Sequence, residues 1–202
     1  TEWDDETCVF FEDDVNFEYK PCDGVTISSL WANAWNVQSG QSLEIRANNV
    51  TVQHMIFRGA PYRNIRLSAN ATKIIHNTFD TTTYVAIQAS PDYIVNDIEI
   101  ANNKFTNIGS TAIYKQYNGK PKDRWHIHHN YIENCDPDSI WSSQIDDHGI
   151  QLESGDNNIV EHNYIKNSSA HSIGVDYGWT NDSTQNNIIK YNEITAPNVD
   201  VI

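Results

Sequence analysis

The stretch at 157–165, Asn-Asn-Ile-Val-Glu-His-Asn-Tyr-Ile, is one of six related copies, the others lying at 50–57, 72–79, 98–105, 125–132 and 187–194. Aligned, one column is wholly apolar: Val52, Ile74, Ile100, Ile127, Val160 and Ile189. Five residues on, a second reads Phe57, Phe79, Phe105, Ile132, Ile165 and Ile194. Between them runs an Asn column, Asn77, Asn103, Asn130, Asn163 and Asn192, with Met55 in the first copy. A short apolar strand follows each unit, centred on Ile65, Ile87, Ile113, Ile150 and Ile173. The distance from the Asn column to that Ile is ten residues in four cases and twenty from Asn130 to Ile150. Internal recurrence with one clean insertion marks the coils of a solenoid, each burying its apolar face against its neighbours.

Helical repeats fit poorly. The units are rich in Ile, Val, Thr, Tyr and Asn, which favour strands and turns, and apolar residues recur at spacing two. Stacked Asn at one bend can take the left-handed conformation and hydrogen-bond to the Asn above and below. Over roughly residues 43–195 the pattern resembles the right-handed parallel β-helix of the pectate-lyase-like superfamily, whose second turn carries such an Asn ladder. The expectation is an all-β, right-handed parallel β-helix of about six coils, three short strands to a coil. Residues 1–42 are expected to form an N-terminal cap on a helix domain spanning 43–202, with 27–37 (Leu30, Trp31, Ala34, Trp35) a short helix within that cap. The chain stops seven residues after the last repeat at Ile202, so a further domain or a partner subunit is expected to cover that end.

The chain of 202 residues carries 13 Lys plus Arg against 27 Asp plus Glu, a formal charge of −14, which argues against nucleic acid and anionic membranes as partners. No apolar run reaches membrane-spanning length. An acidic, Asn- and Thr-rich surface suits an extracellular or high-salt setting, and the expected location is extracellular or at the cell surface. Cys8 and Cys22 share one short polar segment and are expected to pair in an oxidising compartment, leaving Cys135 free.

The variable connections flank the Ile strands. A ten-residue insertion lies within 133–147, and longer connections run at 90–95, 117–124 and 177–185. Long loops on a rigid scaffold are where binding residues collect. Outward residues of this face stack coil by coil as Arg66, Gln88, Tyr114, Gln151 and Gly174, with Ser68, Ser90, Gln116, Glu153 and Asp176 two positions on. Two positions before each Ile stand Arg63, Val85, Thr111, His148 and His171. Lys115 falls in register with inward Leu67, Ala89 and Leu152; the strand is expected to end or bulge there and direct it into the groove, since burial of a charge is costly. Glu153 beside Asp176 places two like charges together, for which a bound calcium ion is one remedy and a raised pKa another.

The resemblance implies a polysaccharide lying along this face. It implies chemistry of the lyase or C5-epimerase kind on a uronate-containing chain, with a base and an acid on either side of one carbon. The candidate catalytic residues are His148, Tyr114, Lys115, His171 and Asp147. Candidate substrate-binding residues are Arg66, Gln88, Gln151, Arg124, Trp141, Tyr177 and Trp179, and candidate calcium ligands are Glu153 and Asp176. The Asp-Pro-His signature of mannuronan epimerases is absent, as are the motifs of β-helix pectin hydrolases. A hydrolase using paired carboxylates and a non-catalytic adhesive, glycan-binding or filament-forming protein therefore stand as alternatives. His148→Ala and Tyr114→Phe are expected to spare stability, as groove rather than core changes. His54, His76, His129 and His162, directly before the Asn column, read as bend stacking. His126, His128 and His129 are discounted as a metal cluster because no matching carboxylates are expected in adjacent coils.

Overall fold

In a computed structural model the described residues are 26–28, 31–33, 41–60, 62–116, 119–120, 122–135, 148–153, 155–169, 171–176 and 185–195. The first coil holds β1 (Thr26–Ser28), β2 (Trp31–Asn33) and β3 (Gln41–Ile45); the second β4 (Thr51–Gln53), β5 (Ile56–Arg58) and β6 (Arg63–Leu67). The third holds β7 (Lys73–Ile75), β8 (Thr78–Thr82) and β9 (Val85–Ala89), and the fourth β10 (Glu99–Ala101), β11 (Lys104–Ile108) and β12 (Ile113–Lys115). The fifth holds β13 (His126–His128), β14 (Tyr131–Cys135) and β15 (Ile150–Glu153). The sixth holds β16 (Ile159–Glu161), β17 (Tyr164–Ser168) and β18 (Ile173–Asp176), and β19 (Ile188–Lys190) and β20 (Glu193–Thr195) begin a seventh.

Every third strand pairs in parallel, giving three sheets: β1-β4-β7-β10-β13-β16-β19, β2-β5-β8-β11-β14-β17-β20 and β3-β6-β9-β12-β15-β18. The expected right-handed solenoid is therefore present. Two readings of the N-terminal part change. Thr26–Ser28 pairs with Thr51–Gln53 and Trp31–Asn33 with Ile56–Arg58, so these residues are strands and not a helix. Solenoid pairing thus begins at Thr26 rather than at 43. The aromatic and β-branched content that looked helical by spacing is equally that of short strands, and an adjacent sheet edge decides the matter.

The apolar columns fill the interior. Val52, Ile74, Ile100, Ile127 and Val160 are buried completely, as are Phe57, Phe79, Phe105, Ile132 and Ile165. Removing each such side chain from water contributes roughly 1.5–3 kcal/mol. Phe57, Phe79 and Phe105 stack ring on ring at 4.9 and 4.7 Å. The apolar column opens at the last coil, where Ile189 is 47% exposed.

The Asn ladder runs from Asn77 to Asn192. Each backbone N–H and Nδ2 donates to Oδ1 of the next Asn at 2.9–3.0 Å, through Asn77→Asn103, Asn103→Asn130, Asn130→Asn163 and Asn163→Asn192. Nδ2 also donates back to the previous coil, to the carbonyls of Val52, Ile74, Ile100, Ile127 and Val160 in turn. The left-handed residue is not the ladder Asn. It is the one before it: His54, His76, Asn102, His129, His162 and Tyr191 all have φ between 53° and 56°. That explains the His column as bend stacking, with His54–His76, His129–His162 and His162–Tyr191 centroids 5.5, 5.1 and 5.2 Å apart.

A second ladder occupies the bend from the third sheet to the first. Oδ1 of Asn48, Asn70, Asn96, Asp123 and Asp156 each accepts from the backbone N–H one coil on, at 2.7–3.0 Å. Each is followed by a left-handed residue, in order Asn49, Ala71, Asp97, Arg124 and Asn157. These two ladders hold the third sheet in fixed register with the rest of each coil.

Candidate active site on the third sheet

Pairing across the third sheet places Arg66 beside Gln88, Gln88 beside Tyr114, Tyr114 beside Gln151 and Gln151 beside Gly174. In the outer row two positions on, Glu153 stands beside Asp176. The expected stack is therefore formed along one face, at a rise of about 4.8 Å per coil. Arg66, Gln88, Tyr114 and Gln151 all lie in it. Asp147, Trp141, Tyr177 and Trp179 lie outside the described residues, as do Cys8, Cys22 and the side chain of Asp176.

Tyr114 turns diagonally to the next coil, and its hydroxyl donates to Glu153 Oε1 at 2.6 Å. Both side chains are buried, and the Tyr114 ring packs with Tyr84 and Val85. The expectation that Tyr114 and His148 are groove rather than core residues, changed without cost to the fold, is thereby corrected, since both are buried. Glu153 is also coupled to the Lys122 ammonium, whose pKa burial lowers to about 8 against the pull of Glu153 and Asp92. A hard cation wants six or more oxygen ligands. One Glu153 oxygen instead serves a phenol, and a buried lysine stands close; this carboxylate fits a proton partner better than a calcium ligand.

His148 is buried, its backbone N–H donating to Thr111 Oγ1 at 3.3 Å. His148 Nε2 and His171 Nδ1 are 3.2 Å apart, with ring centroids at 5.1 Å, so the two imidazoles are neighbours as the register implied. Gly174 makes room for them: a Cβ there would fall 2.4 Å from His148 Nε2. The imidazole therefore stands over Gly174, on the opposite side of Gln151 from Tyr114. Gln151 is buried with its Oε1 unpartnered. Gln88 Oε1 is likewise unpartnered, while Gln88 Nε2 donates to Gln116 Oε1 at 2.7 Å.

Lys115 does not bulge outward. It keeps ladder register with Leu152, is fully buried, and donates from Nζ to the Lys122 carbonyl at 2.8 Å. Gly155, at φ +92°, closes over it, and a Cβ there would lie 2.6 Å from Nζ. Burial, opposed by Asp123, lowers its pKa to about 7, which is how an inward lysine is tolerated. It sits at the corner behind the row and does not line it.

Arg66 is committed within the face: Nη2 donates to Ser90 Oγ at 2.8 Å and to Asp92 at 3.4 Å, and Nε lies 3.9 Å from Glu44. Burial would raise the Glu44 pKa, but hydrogen bonds from Arg46 and Ser68 and the charges of Arg46 and Arg66 bring it below the ordinary value. Arg124 sits at the left-handed corner and grips Asp97 through Nε and Nη2 at 2.5 and 2.8 Å. This is a surface ion pair, with both side chains about half exposed.

The first sheet also departs from expectation. Glu99 pairs in register with His126, and Glu161 with His128, so carboxylates do flank these histidines in adjacent coils. His126 Nε2 lies 2.9 Å from Glu161 Oε1, and His128 Nε2 3.5 Å from Glu99 Oε1.

The three-sheeted coil, the Asn ladder and a polar row on one face define a right-handed parallel β-helix protein. The chain belongs to the right handed beta helix region family, whose model matches residues 63–200. No curated protein and no solved structure shows significant similarity to it.

Proposed function

We propose that the outer face of the third sheet binds a polysaccharide and carries out acid–base chemistry on it. The observation that carries this reading is the sequence phenol, amide, imidazole in one row: Tyr114, Gln151 and the His148 ring over Gly174. Tyr114 and Gly174 are two coil steps apart, about 9–10 Å, which leaves room for one sugar ring between an acid and a base.

The reaction class that uses such a pair is proton abstraction beside a uronate carboxylate, as in a lyase or C5-epimerase. His148 takes the proton, and the Gln151 amide hydrogen-bonds the carboxylate as negative charge gathers on it. In the lyase reaction the electron pair forms a double bond, the glycosidic bond breaks, and the Tyr114 hydroxyl protonates the departing oxygen. In the epimerase reaction the same hydroxyl returns a proton to the opposite face. Glu153, which accepts the Tyr114 hydroxyl hydrogen bond, steadies the phenol; after turnover the phenolate regains a proton from solvent and His148 releases the one it took. A secreted or cell-surface location accords with such a substrate, and no helix among the described residues is long and apolar enough to cross a membrane.

The test is incubation with a panel of uronate-containing and neutral glycans. Ultraviolet absorbance of an unsaturated sugar identifies a lyase, and inversion at C5 followed by proton NMR identifies an epimerase. Release of reducing ends without unsaturation points instead to hydrolysis. Binding without turnover leaves a glycan-binding module and overturns the catalytic assignment.

A further inference from the structure

The outer face of the first sheet, remote in register from the polar row, carries three imidazoles packed together. His126 and His128 alternate onto the same side of β13, with ring centroids 4.0 Å apart. His129, at the left-handed bend that follows, turns its ring edge-on to His128 at 5.2 Å. His128 Nδ1 and His129 Nδ1 come to 2.9 Å of each other. Glu99 in the preceding coil faces His128 Nε2, and Glu161 in the following coil faces His126 Nε2.

Two ligands in cis positions on a square-planar or octahedral metal, at metal–nitrogen bonds of ~2.05 Å, are separated by about 2.9 Å. That is the spacing of the His128 and His129 Nδ1 atoms. For both to be ligands, both rings must carry their proton on Nε2. In His128 that proton then points to Glu99, an arrangement in which a carboxylate fixes the tautomer and orientation of a metal-binding imidazole. Neutral imidazole is the form a metal needs.

We infer that His128 and His129 form a two-imidazole chelate for a divalent transition metal of borderline softness, such as Cu²⁺ or Ni²⁺, with Glu99 as the positioning residue behind His128. Among the described residues no three His, Cys, Asp or Glu side chains form a metal-binding group, so solvent or a ligand brought with the metal completes the coordination. The site stands apart from the glycan reading and does not depend on it.

The bend supplies a conservative test. Asn102 occupies in the previous coil the left-handed position that His129 occupies in its own. His129→Asn therefore removes the imidazole while keeping a residue the bend accepts. The untagged full-length chain is titrated with Cu²⁺ and followed by electron paramagnetic resonance and calorimetry. One equivalent is expected to bind, with nitrogen hyperfine structure from two imidazoles. His129→Asn is expected to weaken binding at least about tenfold, and Glu99→Gln about tenfold through loss of the orienting carboxylate. Circular dichroism confirms the fold of each variant. Absence of stoichiometric binding overturns the assignment. So does wild-type affinity in His129→Asn, or loss of binding in His171→Asn alone, which would place the metal at the other imidazole pair.

Discussion

Tyr114 and Glu153 come from strands of adjacent coils, yet they are offset by two positions along the sheet, and the phenol spans that diagonal to reach the carboxylate at 2.6 Å. A neutral donor on an ionised acceptor is worth about 1.5–3 kcal/mol, and loss of the donor leaves a buried carboxylate short of a partner. Tyr114→Phe is therefore expected to lower the unfolding free energy by about 1–3 kcal/mol, read from denaturant midpoints. It is also expected to lower turnover at least about a hundredfold once a glycan substrate is in hand. Glu153→Gln should act through the same phenol, so the double variant should lose much less activity than the product of the two single losses. Independent effects in that cycle would refute the dyad.

Gly174→Ala separates the site from the fold. Its backbone does not require a left-handed conformation, but the new methyl group would meet His148 Nε2 at 2.4 Å, and the ring must turn away. We expect turnover to fall nearly as far as in His148→Ala, while thermal melting shifts little. A variant retaining full activity would show that the imidazole need not stand where it does.

The Asn ladder was legible because its residues recur in one column with invariant spacing to Val52, Ile74 and their successors. The second ladder was equally written in the sequence, as Asn48, Asn70, Asn96, Asp123 and Asp156, four residues ahead of Val52, Ile74, Ile100, Ile127 and Val160. It is less conspicuous than the first ladder because its column changes from Asn to Asp after Asn96. Strand register placed His148 beside His171 and Glu153 beside Asp176 from alternation alone. Side-chain reach was not legible. Nothing in spacing says that Tyr114 turns diagonally to Glu153, or that Lys115 stays inward because a carbonyl and a glycine at the corner accommodate its amine. The carboxylates beside His126 and His128 were missed for another reason: Glu99 and Glu161 are 27 and 33 residues from their register partners, and only the coil alignment brings them together.

Asn130 sits midway along the ladder. Its Oδ1 accepts from Asn103 N–H and Nδ2, and its own Nδ2 donates to the Ile100 carbonyl and to Asn163 Oδ1, all in the buried interior. Asn130→Ala removes the acceptor of the Asn103 backbone N–H, while Asn103 Nδ2 keeps the Ile74 carbonyl, so one buried donor is left unsatisfied at roughly 1–3 kcal/mol. We expect a loss of about 1–3 kcal/mol in chemical denaturation, larger than for any surface Asn. A loss under about 1 kcal/mol would show that the ladder contributes order without stability.

Lys115 makes stability depend on pH in a predictable direction. Its folded pKa of about 7 lies below the ordinary 10.5. Between those values the unfolded chain holds a proton that the native chain has released, so native stability rises with pH across that window. Below pH 7 the buried ammonium imposes its full cost; as pH climbs towards 10.5 the cost disappears. Lys122, lowered to about 8 by burial, adds a slope of the same sign over the narrower window from about 8 to 10.5. Lys115→Met keeps the volume of the buried stem and removes the titrating group together with its hydrogen bond to the Lys122 carbonyl. The variant should therefore be more stable than the parent at pH 6, with the advantage shrinking steadily towards pH 10 and a total change on the order of a few kcal/mol. Urea denaturation across that range reads the difference directly. Parallel curves for the two proteins would mean that Lys115 keeps an ordinary pKa despite its burial, and that its amine is solvated at the corner beside Gly155.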